Sequence, residues 1–460
     1  MLYQFKWLVS AALLLQSLAI ATDVSTPRIH HLPSLREQAQ IQDGWREERM
    51  ANIPAILRKH NVDAWIISQR EYGEETVFWS MKHAEQFSAR RRTLSIFFAD
   101  DSFEGCESHT WIDNTPQVWS NLHNVLRFCD PRSIAINVDS DIAFSGGLHA
   151  GEYEKLLAQV PLPWKTRFVS TPLVAVEYIA TMPASRLSWY HKLMETAWAI
   201  IDEGFSERVI TPGKTSTEDV EWWFREKLQS LNYTTWFHPD VTILPGWMTT
   251  SSQPPSSPPK KTPSIIIHHG DLLHVDFGLT ALGLNTDTQH LAYVLPPHSH
   301  GKIPQSFLQG LQQGNRLQDI LVSHMKPGLT GNTILSHALA EMQAQNISGG
   351  KIYSHPIGDW GHSAGTLIGM TNLQEGVPVL GDLPLLRNMY YSVELSVEYF
   401  VEERNLTMVF PLEEDIYWNE EKEDWEWVVG RQETFHLIRS EEEEKEKKEI
   451  SDGRFVVQQV

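Results

Sequence analysis

The hydrophobic pattern in the first third of the chain alternates between helical and strand-like spacing. Residues 45–60 have the apolar periodicity of an amphipathic helix in spite of Pro54. Apolar runs typical of buried strands follow at residues 63–68, 93–99 and 133–138, and a helix is predicted at 152–159. An alternation of this kind is typical of an α/β domain, which we place at residues 36–186.

The second half of the chain is predicted to contain one helical unit twice. Each unit is a long helix, a Pro-Gly turn and an amphipathic helix, and the helices are predicted at residues 187–205, 216–231, 306–325 and 332–345. Thr215 and Glu218 have the spacing of a capping box at the start of the second helix. Two units of the same design suggest a pseudo-symmetric domain, which we place at residues 187–440.

Between the two units, a short apolar run carries an aspartate. Residues 272–277 are apolar except for His274 and Asp276, and Gly278 interrupts the run, so we expect a strand that delivers Asp276 to a sheet edge. A second short strand is predicted to carry Asp287. Two carboxylates in an apolar surround are costly without a cation, which indicates a divalent metal ion. Because Asp-x-Gly is also common in turns, this hypothesis needs further ligands.

Further candidate ligands lie downstream. His355 and His362 share a glycine-punctuated loop, and imidazole nitrogen is a common metal ligand. Glu394 is set inside the apolar run 389–397, and Glu433 lies just before a second apolar segment. The pattern predicts that both glutamates are buried, and a buried carboxylate requires a partner.

The order and spacing of Asp276, Asp287, His355, Glu394 and Glu433 resemble those of the pita-bread metallopeptidases. This family includes methionine aminopeptidase, Xaa-Pro aminopeptidase, prolidase and the metal-free creatinase. The resemblance implies an α+β fold, in which a pita-bread catalytic domain follows an α/β domain of the ribonuclease-H-like type. It also implies that these five residues bind two divalent metal ions, for which oxygen-rich ligands favour manganese, with zinc and cobalt as alternatives.

The resemblance assigns further roles on the substrate side. Glu394 is expected to shuttle a proton to the leaving amine, His362 to steady the scissile carbonyl, and His238 to be a second substrate-side histidine. The implied activity is hydrolysis of a peptide bond near a free N-terminus, as in Xaa-Pro aminopeptidase. The alternatives are a prolidase-like dipeptidase, an amide or C–N hydrolase acting on a peptide-like metabolite, and a non-catalytic interaction scaffold. Leu395 and Asp359 depart from the family pattern, where proline and often histidine stand.

Charge and the N-terminal segment limit the partners and the location. The 460 residues carry 38 lysines and arginines against 58 aspartates and glutamates, and the formal net charge of −20 disfavours binding to nucleic acid or anionic membranes. Residues 1–21 have the pattern of a secretory signal peptide cleaved after Ala21, so we expect a secreted protein without a membrane anchor. Glycosylation sequons at Asn232, Asn346 and Asn405 fit this route. Family relatives commonly pair, which implies a homodimer as one arrangement.

Five other features of the chain carry predictions of their own. Cys106 and Cys129 can form one disulfide in a secreted chain. The arginines at 90–92 are either an anion-binding patch or solvated surface. The Pro- and Ser-rich stretch 245–263 is predicted to be a surface loop that either covers the site or is a tolerated insertion. The acidic segment 413–427 is predicted to be a surface hairpin, and residues 441–460 to be a solvated, charged tail.

Overall fold

A computed structural model describes residues 27–99, 105–244 and 264–439. The predicted signal peptide at 1–21, the Pro-rich stretch at 245–263 and the charged tail at 441–460 lie outside these residues. Within the described ranges, no helix combines the length and the apolar character that are required to cross a membrane.

The N-terminal lobe, residues 35–180, is built on a five-stranded mixed sheet with the strand order β3-β2-β1-β4-β5. Its strands are β1 (Ala64–Arg70), β2 (Arg92–Phe98), β3 (His109–Ile112), β4 (Ile134–Ile136) and β5 (Phe168–Ser170). Its helices are α1 (Leu35–Ala51), α2 (Ile53–Lys59), α3 (Phe78–Met81), α4 (Gln117–Cys129), α5 (Ala150–Gln159), α6 (Leu162–Lys165) and α7 (Pro172–Ala180). Alternate residues of β1 enter two separate apolar clusters, so both faces of this sheet are covered.

The structure confirms the predicted strands in this lobe as β1, β2 and β4, and the predicted helix at 152–159 as part of α5. The helix predicted over residues 45–60 is divided instead at Asn52. Pro54 lies in the first turn of α2, where the missing backbone N–H of proline removes no hydrogen bond. The edge strands β3 and β5 were not predicted, because each is short and partly exposed. Cys106 is bonded to Cys129.

The C-terminal lobe, residues 187–438, combines two helix pairs with several sheets. Its helices are α8 (Leu187–Gly204), α9 (Thr217–Ser230), α10 (Gln305–His324) and α11 (Gly331–Ala344), with 3₁₀ turns at Leu380–Asp382 and Glu402–Arg404. Its strands are β6 (Asp240–Leu244), β7 (Leu272–Phe277), β8 (Thr280–Ala281), β9 (Leu284–Asn285), β10 (Thr288–Val294), β11 (Lys351–Ile352), β12 (His355–Ile357), β13 (Tyr390–Ser392), β14 (Leu395–Val401), β15 (Leu406–Leu412), β16 (Asp415–Asn419), β17 (Asp424–Trp427) and β18 (His436–Ile438). The larger sheets have the strand orders β18-β10-β7-β6, β11-β14-β15 and β12-β13-β16-β17.

All the helices predicted in this lobe are present, and each pair packs on its own sheet. Helices α8 and α9 share one apolar cluster with β6, β7 and β10, whereas α10 and α11 share another with β14 and β15. The capping box of α9 is formed by Ser216 and Asp219, one residue later than the predicted Thr215 and Glu218. The domain boundaries at residues 186 and 440 stay predictions.

Candidate metal centre

The centre is built first from a row of polar residues across the sheet β18-β10-β7-β6. Cross-strand pairing places Asp276 of β7 opposite Asp240 of β6 on one side and opposite Gln289 of β10 on the other. Residues paired in this way share one face of the sheet. Gln289 is paired in turn with Glu413, which extends the row. An aspartate, the predicted Asp276, an amide and a glutamate therefore stand side by side.

Asp287 lies in the connection between β9 and β10 and not in a second strand as predicted. Its backbone N–H is 3.1 Å from Asp415 Oδ2 and donates to it, so a side chain replaces the ladder partner here. The same carboxylate oxygen accepts from the hydroxyl of Tyr190 at 2.7 Å. Asp415 and Tyr190 thus fix the backbone that presents Asp287.

His355 is the first residue of β12, which pairs with β13. Its Nε2 atom is 3.8 Å from Asp287 Oδ2 and 3.5 Å from Glu413 Oε1. The ligand atoms of these three buried residues all lie within 4.8 Å of one another. The described residues therefore contain a compact group of two carboxylates and one imidazole at the sheet junction.

Glu413 was not identified from the sequence, although it lies at the centre of this group. It follows β15 directly and is only 1 % exposed. Its Oε1 accepts from the Ser392 hydroxyl at 2.5 Å, and its Oε2 accepts from Gln289 Nε2 at 2.8 Å. The local signal is an apolar, β-favouring run that ends at this acid, and it does not distinguish Glu413 from Glu433, which adjoins an apolar run as well.

The acidic segment 413–427 does form a hairpin, from β16 and β17, and the tip at residues 420–424 is exposed. Its first residues are buried, however, so the prediction of a surface element holds only for the tip. Glu414 and Asp415 lie beside Glu413 and are equally buried. Charge alone is a poor guide here, since buried polar partners hold these acids.

The structure does not bring Glu433 to the centre, contrary to the ligand set that the sequence suggested. The Glu433 side chain is 77 % exposed, and Arg431 Nε lies 3.9 Å from its Oε1. The neighbouring Gln432 and Phe435 are buried, and Gln432 hydrogen bonds both backbone groups of Leu291. The Glu433 side chain therefore points to solvent, and Glu413 is the glutamate that lies beside Asp287 and His355.

Glu394 flanks the group in the gap between β13 and β14. Its Oε1 accepts from Gln289 Nε2 at 3.1 Å. The amide of Gln289 therefore bridges Glu394 and Glu413, and its own oxygen is 2.9 Å from Nε2 of the buried His274. Gln289 is thus a second residue of the centre that the sequence did not indicate.

The electrostatics of the centre favour a cation. Asp276 Oδ1, Asp287 Oδ1 and His355 Nε2 are buried and have no hydrogen-bond partner among the described residues. The pKa values of Asp276, Asp287 and Glu394 are raised well above those of free carboxyl groups. Burial is the largest cause, and the charge of Glu413 is the second. Carboxylate oxygens with one imidazole nitrogen are the donors that divalent ions such as manganese, cobalt and zinc accept. The residues therefore fit a metal site.

The two substrate-side histidines of the sequence analysis lie in different surroundings. The His362 ring is 4.7 Å from the ring of His355 and perpendicular to it, and its Nε2 is 3.3 Å from the Tyr353 hydroxyl. His238 pairs with Glu221 at 3.4 Å and stacks edge-on against Trp222. His362 is thus beside the centre, whereas the contacts of His238 are with Glu221 and Trp222 of α9.

Together, the paired helices, the sheets between them and the buried centre have the arrangement of the pita-bread fold, preceded by an α/β lobe. Several solved structures similar to this chain are peptidases by name. The X-Pro aminopeptidase from Thermotoga maritima is 13 % identical, with a TM-score of 0.57 over 83 % of this chain and 99 % of that one. The dipeptidase PepE from Mycobacterium ulcerans is 16 % identical, with a TM-score of 0.53 over 86 % and 98 % of the two chains.

A dipeptidase from Pyrococcus horikoshii is likewise 16 % identical, with a TM-score of 0.52 over 85 % of this chain and 99 % of that one. No family model matches this chain, and no curated protein matches it by sequence. At these identities the likeness establishes the fold. The pita-bread, α+β architecture implied by the ligand spacing is confirmed.

Proposed function

We propose that this chain is a two-metal peptidase that hydrolyses a peptide bond near a free N-terminus, in the manner of an Xaa-Pro aminopeptidase. One observation carries the proposal: Asp287, His355 and Glu413 converge, and Asp287 Oδ1 and His355 Nε2 are buried without a hydrogen-bond partner among the described residues. Their setting in a fold shared with an X-Pro aminopeptidase and dipeptidases supports the reaction class.

The metal-binding residues in this proposal are Asp276, Asp287, His355, Glu394 and Glu413. Four carboxylates and one neutral imidazole balance two divalent ions, and the excess of oxygen donors favours manganese, with zinc and cobalt as alternatives. Two such ions would supply Lewis-acid polarisation of the scissile carbonyl and lower the pKa of the attacking water.

Groups of the chain itself would position the substrate and move the proton. Gln289 donates to Glu394 Oε1 and holds that carboxylate toward the centre, where it can pass a proton to the leaving amine. The Tyr353 hydroxyl lies against His362 Nε2 and orients this ring beside His355. From that position His362 can donate to the oxygen of the scissile carbonyl.

Asp240 supports a substrate with a free amine. It stands opposite Asp276 on the same face of the sheet, and like charges so placed repel each other. Burial first, and then Glu221, raise the pKa of Asp240. A positively charged amino terminus beside this pair would relieve the repulsion, which favours an aminopeptidase over an enzyme that recognises only a carboxyl terminus.

The proposed enzyme is secreted. The Cys106–Cys129 disulfide supports this location, because such bonds persist in oxidising compartments. The sequon residues Asn232, Asn346 and Asn405 are all exposed, as glycan acceptors must be. Mass analysis of the mature N-terminus and of glycopeptides from the native host tests the proposal, and a chain retained inside the cells with an uncleaved N-terminus and no glycans would contradict it.

The first experiment combines metal analysis with hydrolysis assays on the full mature chain. We expect two metal ions per chain and manganese-dependent cleavage of a Xaa-Pro-Xaa tripeptide, with both properties reduced in His355→Ala. The matched control is His337→Ala, which removes an exposed histidine of α11 and should behave as the wild type.

Other outcomes separate the alternatives. Cleavage of Xaa-Pro dipeptides alone indicates a prolidase-like dipeptidase. Bound metal without turnover of any free peptide indicates another amide hydrolase or a scaffold. Absence of metal under every loading condition, or full activity in His355→Ala, refutes the two-metal proposal.

A further inference from the structure

The loop of residues 358–362 joins the two histidines of the centre and carries a buried acid between two arginines. Asp359 Oδ2 is 2.6 Å from Arg49 Nη1, and Asp359 Oδ1 is 2.6 Å from Arg186 Nη1. The three side chains are at most 8 % exposed. Each oxygen of one carboxylate therefore holds a different guanidinium, and the three together carry a net positive charge.

Arg49 is fixed to the N-terminal lobe before it reaches Asp359. Its Nη2 donates to the carbonyl oxygens of Tyr178 at 2.7 Å and Ile179 at 3.1 Å, and its Nη1 donates to that of Ser80 at 3.1 Å. The guanidinium also lies over the Tyr178 ring, 4.8 Å from its centroid. Since these contacts determine its position, Arg49 presents a rigid donor to the loop of the other lobe.

The remaining contacts of the loop point in two directions. Trp360 packs against the apolar cluster of the N-terminal lobe, with its ring 5.9 Å from that of Phe144. The carbonyl oxygen of Gly358 accepts from Asn285 twice, from the backbone N–H at 2.8 Å and from Nδ2 at 3.0 Å. Asn285 lies two residues before Asp287. The loop thus links the N-terminal lobe with the segment that presents a candidate ligand.

Stability alone is a poor explanation for these three buried charges. Desolvating a buried ion group costs about as much as its Coulomb attraction returns, and apolar residues of similar size often replace such groups without loss of stability. What the charges provide is a geometrically strict connection, because bonds to both oxygens fix the direction of the carboxylate. Asp359 lies four positions after His355 and three positions before His362. A fixed Asp359 carboxylate therefore restricts the backbone that carries both imidazole rings.

We propose that Asp359 is a positioning residue: held by Arg49 of the N-terminal lobe on one oxygen and by Arg186 on the other, it sets the His355 ring against Asp287 and Glu413. We call Arg49, Asp359 and Arg186 the clamp. The clamp also places His362 beside the substrate, and this second part rests on the proposed function. The first part concerns metal binding and is measurable without turnover.

Cobalt(II) titration of the full mature chain tests the proposal, with calorimetry for affinity and visible absorption for the ligand environment. Asp359→Asn keeps the size of the side chain and removes its charge. We expect about a tenfold loss of cobalt affinity, the lower end of what residues that orient metal ligands contribute, together with an altered absorption band. Titrations are made at a temperature at which circular dichroism shows each variant to be folded.

Glu152→Gln is the matched control. Glu152 is a buried carboxylate of the N-terminal lobe that also pairs with two arginines, Arg70 at 2.8 Å and Arg92. Arg92 belongs to the run at 90–92 for which the sequence left an anion site open, and its partner here is internal. Because Glu152 has no contact with the loop, its variant should bind cobalt as the wild type does, even where its melting temperature falls.

The possible results separate the two proposals. Equal cobalt affinity and spectrum in the wild type and Asp359→Asn overturn the clamp, and so does an equal loss in Asp359→Asn and Glu152→Gln, since that would reflect general loosening. If Asp359→Asn does not fold, Arg186→Lys takes its place under the same two criteria. A wild type that binds no cobalt refutes the proposed metal site, and the clamp with it, whereas wild-type binding without a variant effect refutes the clamp alone.

Discussion

Replacing Glu413 by glutamine tests the centre with little change in packing. Glutamine has the size of glutamate, and its amide oxygen can accept from Gln289 Nε2 as Glu413 Oε2 now does. The Ser392 hydroxyl, which now donates to the other oxygen, can rotate and accept from the new amide nitrogen. What the substitution removes is one negative charge from the group.

The expected magnitude follows from the spacing. Ligand atoms of Asp287 and Glu413 lie within 4.8 Å of each other. At that separation, with an effective dielectric constant of about 20, two unit charges repel by roughly 3.5 kcal/mol. Burial and the neighbouring Glu413 raise the pKa of Asp287. Proton uptake by Asp287 therefore relieves part of this repulsion. Without metal, the free energy of unfolding of Glu413→Gln should therefore rise, by an amount on the order of 3 kcal/mol.

With metal present the sign is opposite. Loss of a charged ligand should weaken manganese binding by at least about tenfold, so the thermal stabilisation that manganese gives the wild type shrinks. Thermal unfolding followed by circular dichroism, with chelator and then with manganese, measures both effects in one sample.

Glu433→Gln is the control for this experiment, since its carboxylate is 77 % exposed. It should resemble the wild type under both conditions. A large loss of manganese affinity in Glu433→Gln with none in Glu413→Gln would refute the assignment of Glu413. A fall in metal-free stability for Glu413→Gln would refute the repulsion argument.

Three further results are expected. The rise in melting temperature caused by manganese should grow with pH. The carboxylates of the centre have raised pKa values, so the stability that their protons give the metal-free fold is present at low pH and is lost as pH increases. A shift in melting temperature that stays flat or shrinks across a pH series would contradict this. Gly361→Ala should lower the free energy of unfolding by about 1–3 kcal/mol and reduce peptide hydrolysis, because the new Cβ would collide with the Trp236 ring. Denaturant unfolding measures the first effect and kcat/KM the second. A variant with unchanged stability and activity would show that the Trp236 ring moves freely. Removing the disulfide by Cys106→Ser and Cys129→Ser should lower the free energy of unfolding by about 3 kcal/mol, from the 23-residue separation of the cysteines, and leave cobalt affinity unchanged.

Much of the framework could be predicted from local pattern. The long helices of the C-terminal lobe have a clear 3.6-residue period and clear end signals, and their bounds differ from the prediction by a residue or two. Asp276 was identified because one strand encodes its surroundings, with apolar residues on both sides and a glycine after it. Information of this kind is contained in a short segment.

Glu413 and Gln289 could not be found in that way. Glu433 and Glu413 both adjoin apolar runs, and only the pairing of Gln289 with Glu413 across two sheets distinguishes them. The partners of Asp359 show the same limit, because Arg49 lies in a helix more than three hundred positions earlier and reads locally as a surface charge. Contacts set by register between distant strands are absent from any local window.

The order in which the centre forms follows from where its residues lie along the chain. Asp287, His355 and Glu413 belong to different sheets or connections and meet only through long-range pairing. Closing such distant contacts is slow, and none of the three segments can assemble the group alone. Metal binding should therefore follow the pairing of the sheets and stabilise a fold that is already almost complete. Until metal binds, the acids of the centre have no counterion, and the protons that their raised pKa values retain are what reduces their mutual repulsion in the last stage of folding.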